Sequence, residues 1–293
     1  MHLKTKSLVA ATAALAVGTA FVIGSGTIAV TLARTAHTSA AVQRPSARFL
    51  ADARQALGSY LRTSHPQAEL VGGLSNSYTN ESYNWSGYAD SDESVPGTFT
   101  SVSGSWTTPT VKCTAEDTIE STWVGLDGFT SGTVEQDGTI GWCYEGTPTY
   151  FTWYEMYPAG TVEVGTALAP GDQISASVSR TGASYTLALT DATNPANSFT
   201  ENASCATTTC IDTSAEWITE RPSFSIGIAP LADFKTAGFT NGAETANGVP
   251  GTISSYAANY KITMVDVLGE YDLSTTSRLS HGTGFTNAWK NSW

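Results

Sequence analysis

The chain has 293 residues, a formal net charge of −12 and only 14% charged residues. Its acidity is concentrated in residues 76–293, which hold seven Lys and Arg against 24 Asp and Glu, a formal charge of −17. A body of that sign repels nucleic acid and anionic membranes, which excludes both as partners, and it loses self-repulsion as carboxylates protonate, which suits work in acid.

The N-terminus reads as a targeting segment. Lys4 and Lys6 precede a run from Leu8 to Leu32 without a charge, and Thr38-Ser39-Ala40 offers a small-x-small cleavage site. Residues 1–40 are therefore expected to be a secretory signal peptide, and the mature protein to be secreted, extracellular and free of membrane. The rival is an uncleaved anchor, since the run is long enough to span a bilayer. Residues 46–63 predict a helix, with Ser46 as cap and Phe49, Leu50, Ala53, Leu57, Tyr60 and Leu61 as its apolar stripe. Thr63 to Tyr78 reads as a polar linker. Residues 41–75 carry four arginines against Asp52 and Glu69, a charge of +2, so they are expected to be a propeptide that docks on the acidic body at neutral pH and leaves as its carboxylates protonate.

From Tyr83 onward the pattern changes to short β-prone runs separated by Gly, Pro, Asn, Asp and Ser. Strands are expected at 84–89, 99–107, 121–126, 149–157, 173–180, 184–190, 215–219, 223–228 and 261–268, with Thr181-Gly-Ala183 as a hairpin turn. No long helical period and no repeat of fixed period occurs. Residues 76–293 thus predict one all-β domain, a two-sheet antiparallel β-sandwich of the concanavalin or jelly-roll kind, behind an N-terminal helical propeptide. Nothing in the chain asks for more than a monomer.

Four cysteines, Cys113, Cys143, Cys205 and Cys210, fit two disulfides in an exported chain. Three pairings are possible; Cys205 and Cys210 close a short loop, which leaves Cys113 with Cys143. Without a CxxC pair or a Cys/His cluster, no zinc site is expected. Asn80-Glu-Ser, Asn84-Trp-Ser and Asn202-Ala-Ser fit the glycosylation acceptor pattern.

Two carboxylates stand out because they lie inside aromatic, β-prone runs. In Thr149-Tyr-Phe-Thr-Trp-Tyr-Glu-Met-Tyr157, strand alternation places Glu155 on one face with Phe151, Trp153 and Tyr157. In Ala215-Glu-Trp-Ile-Thr-Glu220, Glu220 shares a face with Glu216 and Ile218. A carboxyl against an apolar wall has its pKa raised, which suits acid–base work; two edge-strand glutamates facing water are the plain alternative. Elimination narrows the chemistry. His281, the one histidine after residue 65, sits in a turn, and the body contains no GxSxG elbow, no paired Asp-Thr-Gly turns, no HExxH and no phosphate loop.

Five blocks then occur in order: Asn84-Trp-Ser-Gly-Tyr88, Thr122-Trp-Val-Gly-Leu-Asp-Gly128, Gln136, Trp153-Tyr-Glu-Met-Tyr-Pro158 and Ala215-Glu-Trp-Ile-Thr-Glu220. Together with Gly282-Thr-Gly-Phe-Thr286 they resemble the glutamic peptidases, the eqolisin family (peptidase family G1), in its bacterial form. The resemblance implies a β-sandwich endopeptidase acting on polypeptides by a Gln/Glu dyad, without metal or cofactor. It places the dyad on Gln136 and Glu220, makes Glu155 a supporting carboxylate that shapes the cleft, and sets Trp123, Asp127 and Tyr157 close by. On residues alone Gln136 reads as a surface loop residue, and Trp85, Trp106, Trp123 and Trp153 read as core. Two rivals remain: a sandwich-fold glycoside hydrolase using Glu155 and Glu220, and a non-catalytic binding sandwich.

Overall fold

The computed structural model of the chain describes residues 48, 49, 52, 53, 55, 56, 65–205, 209–225 and 227–293. The expected signal peptide lies outside them, as does most of the expected helix and with it the helical propeptide as a unit. The six residues described between 48 and 56 have helical backbone. Among them Ala53 is fully buried, and the Phe49 ring lies 5.6 Å from that of Tyr144.

Among the described residues the rest of the fold is β apart from one short 3-10 turn at Pro195–Asn197. The strands are β1 (Thr79–Ser82), β2 (Trp85–Ser91), β3 (Phe99–Thr107), β4 (Thr118–Leu126), β5 (Val134–Tyr144) and β6 (Thr147–Tyr157). Then come β7 (Val162–Glu163), β8 (Gln173–Thr181), β9 (Ser184–Asp191), β10 (Phe199–Ser204), β11 (Ser214–Glu220), β12 (Ser223–Phe224) and β13 (Gly227–Ile228). The last are β14 (Thr236–Ala246), β15 (Val249–Thr252), β16 (Asn259–Val265), β17 (Asp272–Thr276) and β18 (Phe285–Trp289). The expected single strand over 223–228 is instead the small β12–β13 pair. β5 and β14, which the sequence left unassigned, are each eleven residues long.

The ladder runs β10-β9-β8-β3-β14-β18-β17-β16-β2-β11-β4-β5-β6-β7. Its pairings are antiparallel, and β1 adds a parallel pairing at β16. The sheet doubles back so that β3 and β8 lie over β4, and β9 over β5. Its two leaves are thus hydrogen-bonded to each other through β18 and β17, where two separate sheets were expected. Between the leaves pack Phe99, Trp106, Leu126, Leu187, Trp217 and Phe239. Two tryptophans in this layer also bridge it by hydrogen bonds. Trp106 Nε1 donates to Thr139 Oγ1 at 3.0 Å, and Trp217 Nε1 to the Ser103 carbonyl at 2.7 Å. A buried indole N–H needs such an acceptor, so each bond helps fix how the leaves stack.

β2, β4 and β11 are buried along their whole length. One side faces the opposite leaf. The other carries a second apolar cluster of Trp85, Trp123, Ile140, Trp142, Phe151 and Trp153, in which Ala53 also sits. Both disulfides form as the spacing suggested, Cys113 with Cys143 and Cys205 with Cys210. Asn80 and Asn84 are buried, while Asn202 is exposed.

Several carboxyls are buried in this fold. Burial pushes Glu120 up to about 8 and Asp137 well above its usual range. Asp90 on β2 meets Glu244 on β14 carboxyl to carboxyl. Burial and mutual repulsion raise Asp90, and burial raises Glu244 to about 7. A carboxyl whose pKa is higher folded than unfolded binds more protons in the native state, so it contributes stability at low pH and loses it as pH rises. The window set by Glu120 and Glu244 runs from the unfolded value of 4.5 to about 8. The melting temperature is therefore expected to fall by at least about 10 °C between those limits. Glu120→Gln should flatten that fall, as calorimetry across the pH series would show.

Candidate active site

Register brings the singled-out residues together. β5 is flanked by β4 and β6, and Gln136 pairs with Gly125 on one side and Glu155 on the other. β11 lies on the far side of β4, where Glu220 pairs with Ser121 and, across its other edge, with Trp85. With side chains alternating along each strand, Gln136, Glu155 and Glu220 project from the same face. They line one small space with Ser121, Ile140, Trp153, Thr161 and Pro222. Its volume is about 20 Å³, enough for one water molecule.

Two glycines make this arrangement possible. A Cβ at Gly138 would collide with the Thr122 carbonyl and the Trp123 Cβ, and one at Gly125 would press on the Trp123 ring and the Gln136 Cβ. Without them the Trp123 indole could not lie between β5 and β11.

Trp123 Nε1 donates to Glu220 Oε2 at 2.8 Å, and the ring packs edge-on against Trp85 at 4.9 Å. Gln136 Nε2 donates to Glu155 Oε2 at 2.7 Å, while Thr161 Oγ1 donates to Glu155 Oε1 at 2.9 Å. The amide thus turns its NH2 to Glu155 and leaves Oε1 buried without a hydrogen-bond partner. That NH2 has a second N–H to offer. Burial is the main cause that lifts Glu220 well above the usual carboxyl range. The Trp123 bond pulls it down, and the charges of Glu155 and Glu69 push it further up.

Not every expected residue joins this group. Asp127 is turned to the loop before β11. It accepts from the backbone N–H groups of Ile211, Asp212 and Thr213 at 2.8–2.9 Å and from the hydroxyls of Thr133 and Thr213. It holds the entry to β11, and so acts on Glu220 only through the backbone. Tyr157 lies at the rim, its hydroxyl 3.3 Å from His65 Nδ1. Gln136 is buried in mid-strand and is no loop residue. Sequence reading missed Thr161 and Ser121, small hydroxyl residues that nothing in their local pattern marks.

Comparison with known proteins supplies the remaining evidence. The Peptidase A4 family model matches residues 83–289. Aspergillopepsin-2 of Aspergillus niger is 29% identical over 197 residues, spanning 59% of this chain and 68% of that protein. The crystal structure of scytalido-glutamic peptidase with a peptide-based transition state analog superposes with a TM-score of 0.59 at 23% identity, over 71% of this chain and 98% of that one. Aspergilloglutamic peptidase from Aspergillus niger gives a TM-score of 0.52 at 28% identity, over 59% of this chain and 99% of that one. The glycoside hydrolase and binding-module readings therefore give way, and the chain belongs to the Peptidase A4 family, the eqolisin glutamic peptidases, as a peptide hydrolase.

Proposed function

We propose that the chain is a secreted acid endopeptidase in which Glu220 and Gln136 form the catalytic dyad. The observation that carries this reading is their convergence on one water-sized space, with the Gln136 NH2 pinned by Glu155. Glu220, ionised, takes a proton from water as the oxygen attacks the scissile carbonyl. The free N–H of Gln136 donates to the oxyanion that forms. Glu220, now a neutral acid, passes its proton to the leaving amine. No step requires a metal or a cofactor, and the substrate is a polypeptide. SCP-B, an eqolisin whose structure holds the tripeptide Ala-Ile-His, matches this chain with a TM-score of 0.56, which accords with a peptide in such a cleft. Residues 1–40 serve as a signal peptide and 41–75 as a propeptide and linker, ahead of a monomeric peptidase domain at 76–293.

Purified protein is expected to cleave denatured casein in acid, with the acid limb of its pH profile set by the raised Glu220, and to leave polysaccharides intact. Glu220→Gln and Gln136→Glu should each abolish cleavage in a folded protein, and Gln136→Ala should cost roughly 10²–10³ in kcat. Near-wild-type hydrolysis by either of the first two variants would overturn the dyad.

Trp123→Phe keeps the ring but removes the N–H that favours ionised Glu220. The acid limb of the kcat/KM profile should then move up by roughly one pH unit, the equivalent of one hydrogen bond to a charged group. An unmoved limb would mean that Glu220 is not the group that must ionise.

A further inference from the structure

The segment His65–Leu70 lies N-terminal to the family-matched residues 83–289, yet it is held against the candidate active site. His65 N–H donates to the Ser223 carbonyl at 2.8 Å, and Ala68 N–H to the Gly128 carbonyl at 2.9 Å. Gln67 Nε2 reaches the Gly132 carbonyl at 3.3 Å, and Ser223 Oγ donates to Glu69 Oε1 at 2.6 Å. Between these anchors Pro66 forms part of the wall of the space lined by Gln136, Glu155 and Glu220.

Asn84 supplies the most specific contact. Its Oδ1 accepts from the Glu69 backbone N–H at 2.8 Å, and its Nδ2 donates to the Gln67 carbonyl at 2.8 Å. A side-chain amide offers one donor and one acceptor side by side. The C=O of one residue and the N–H of the residue two further on are the pair that an extended backbone shows to a neighbouring strand. Asn84 therefore reads backbone and places no demand on the side chains of the segment it holds.

We infer that Asn84 is an anchor for the backbone of an extended polypeptide substrate, and that in the intact chain this anchor and the space beside it are filled by the chain's own residues 65–69. The inference rests on the peptidase reading above and adds two things: how the cleft grips substrate, and what keeps the precursor idle. The block is steric. A scissile carbonyl cannot approach Gln136 and Glu220 while Pro66 forms part of that wall and the space left holds one water.

Two measurements test it. In the first, full-length wild type and a full-length variant with Pro66→Gly, Gln67→Gly and Glu69→Ala are acidified in parallel to a series of pH values between about 4 and 6. Hydrolysis of fluorescein-labelled casein and the mass of the chain are then followed together. Wild type should stay idle until its mass drops, whereas the variant should cleave from the first time point at least tenfold faster. Equal initial rates from the two intact chains, with matured protein active, would overturn the strap alone. No hydrolysis from any form, matured included, would overturn the peptidase reading on which it rests. In the second, Asn84→Ala in matured enzyme should raise KM about tenfold for a long quenched peptide with kcat within about twofold. A peptide shortened by three residues on the Asn84 side should show no such change. Equal loss on both peptides would make Asn84 a structural residue and overturn the anchor.

Discussion

Removal of Glu220 from water is the constraint around which the site is arranged. A carboxyl at the centre of a doubly covered sheet is costly to ionise. The structure meets that cost with neutral indoles, chiefly Trp123 and to a smaller extent Trp85, and among the described residues with no cation. An arginine there would have stabilised the charge so well that the group would be a poor base and a worse acid. The indole holds the carboxyl in place and leaves its proton affinity high. Everything nearby serves that compromise: Gly125 and Gly138 admit the indole, Trp85 braces it edge-on, and Asp127 fixes the loop that starts the strand bearing Glu220.

Gln136 is governed by the same logic in reverse. A primary amide has no charge to lose, but its dipole is only partly satisfied here, since Gln136 Oε1 is buried without a partner. Glu155 satisfies one N–H and, being acceptor-only when ionised, orients the other. The carboxylate that looked from its aromatic surroundings like a second acid–base group acts in this geometry as the clamp for the amide.

How far this was legible in the sequence depended on whether a residue's local pattern carried its role. Strands β3, β8 and β9 stood out because each alternates buried and exposed positions. β5 did not: Asp137, Gly138 and Gly141 dilute its β signal, and the two glycines answer to neighbours on other segments, Gly138 to Trp123 and Gly141 to Val111 and Glu120. Gln136 was thus found only through its resemblance to a known block, since alone it reads as loop. Glu155 and Glu220 were visible because a charge in an aromatic strand is anomalous by itself. Asp127 could be read only as part of its block, since the backbone loop it caps 84 to 86 residues later leaves no trace in local composition. The joining of the two leaves through β18 and β17 was likewise invisible, because strand order is a property of the whole ladder.

The burial of Asn80 and Asn84 has a consequence for where this chain can be made. Both sit in acceptor triplets that a eukaryotic secretory pathway modifies on the unfolded chain as it emerges. Asn80 Nδ2 is committed to the Gly73 carbonyl and Asn84 Nδ2 to Gln67. A sugar on either nitrogen would replace that bond with a bulky hydrophilic group inside the fold. Host choice is therefore written into two buried amides: a cell that attaches glycans before folding would trap the chain outside its native state, whereas one without that machinery leaves both nitrogens free to find their carbonyls.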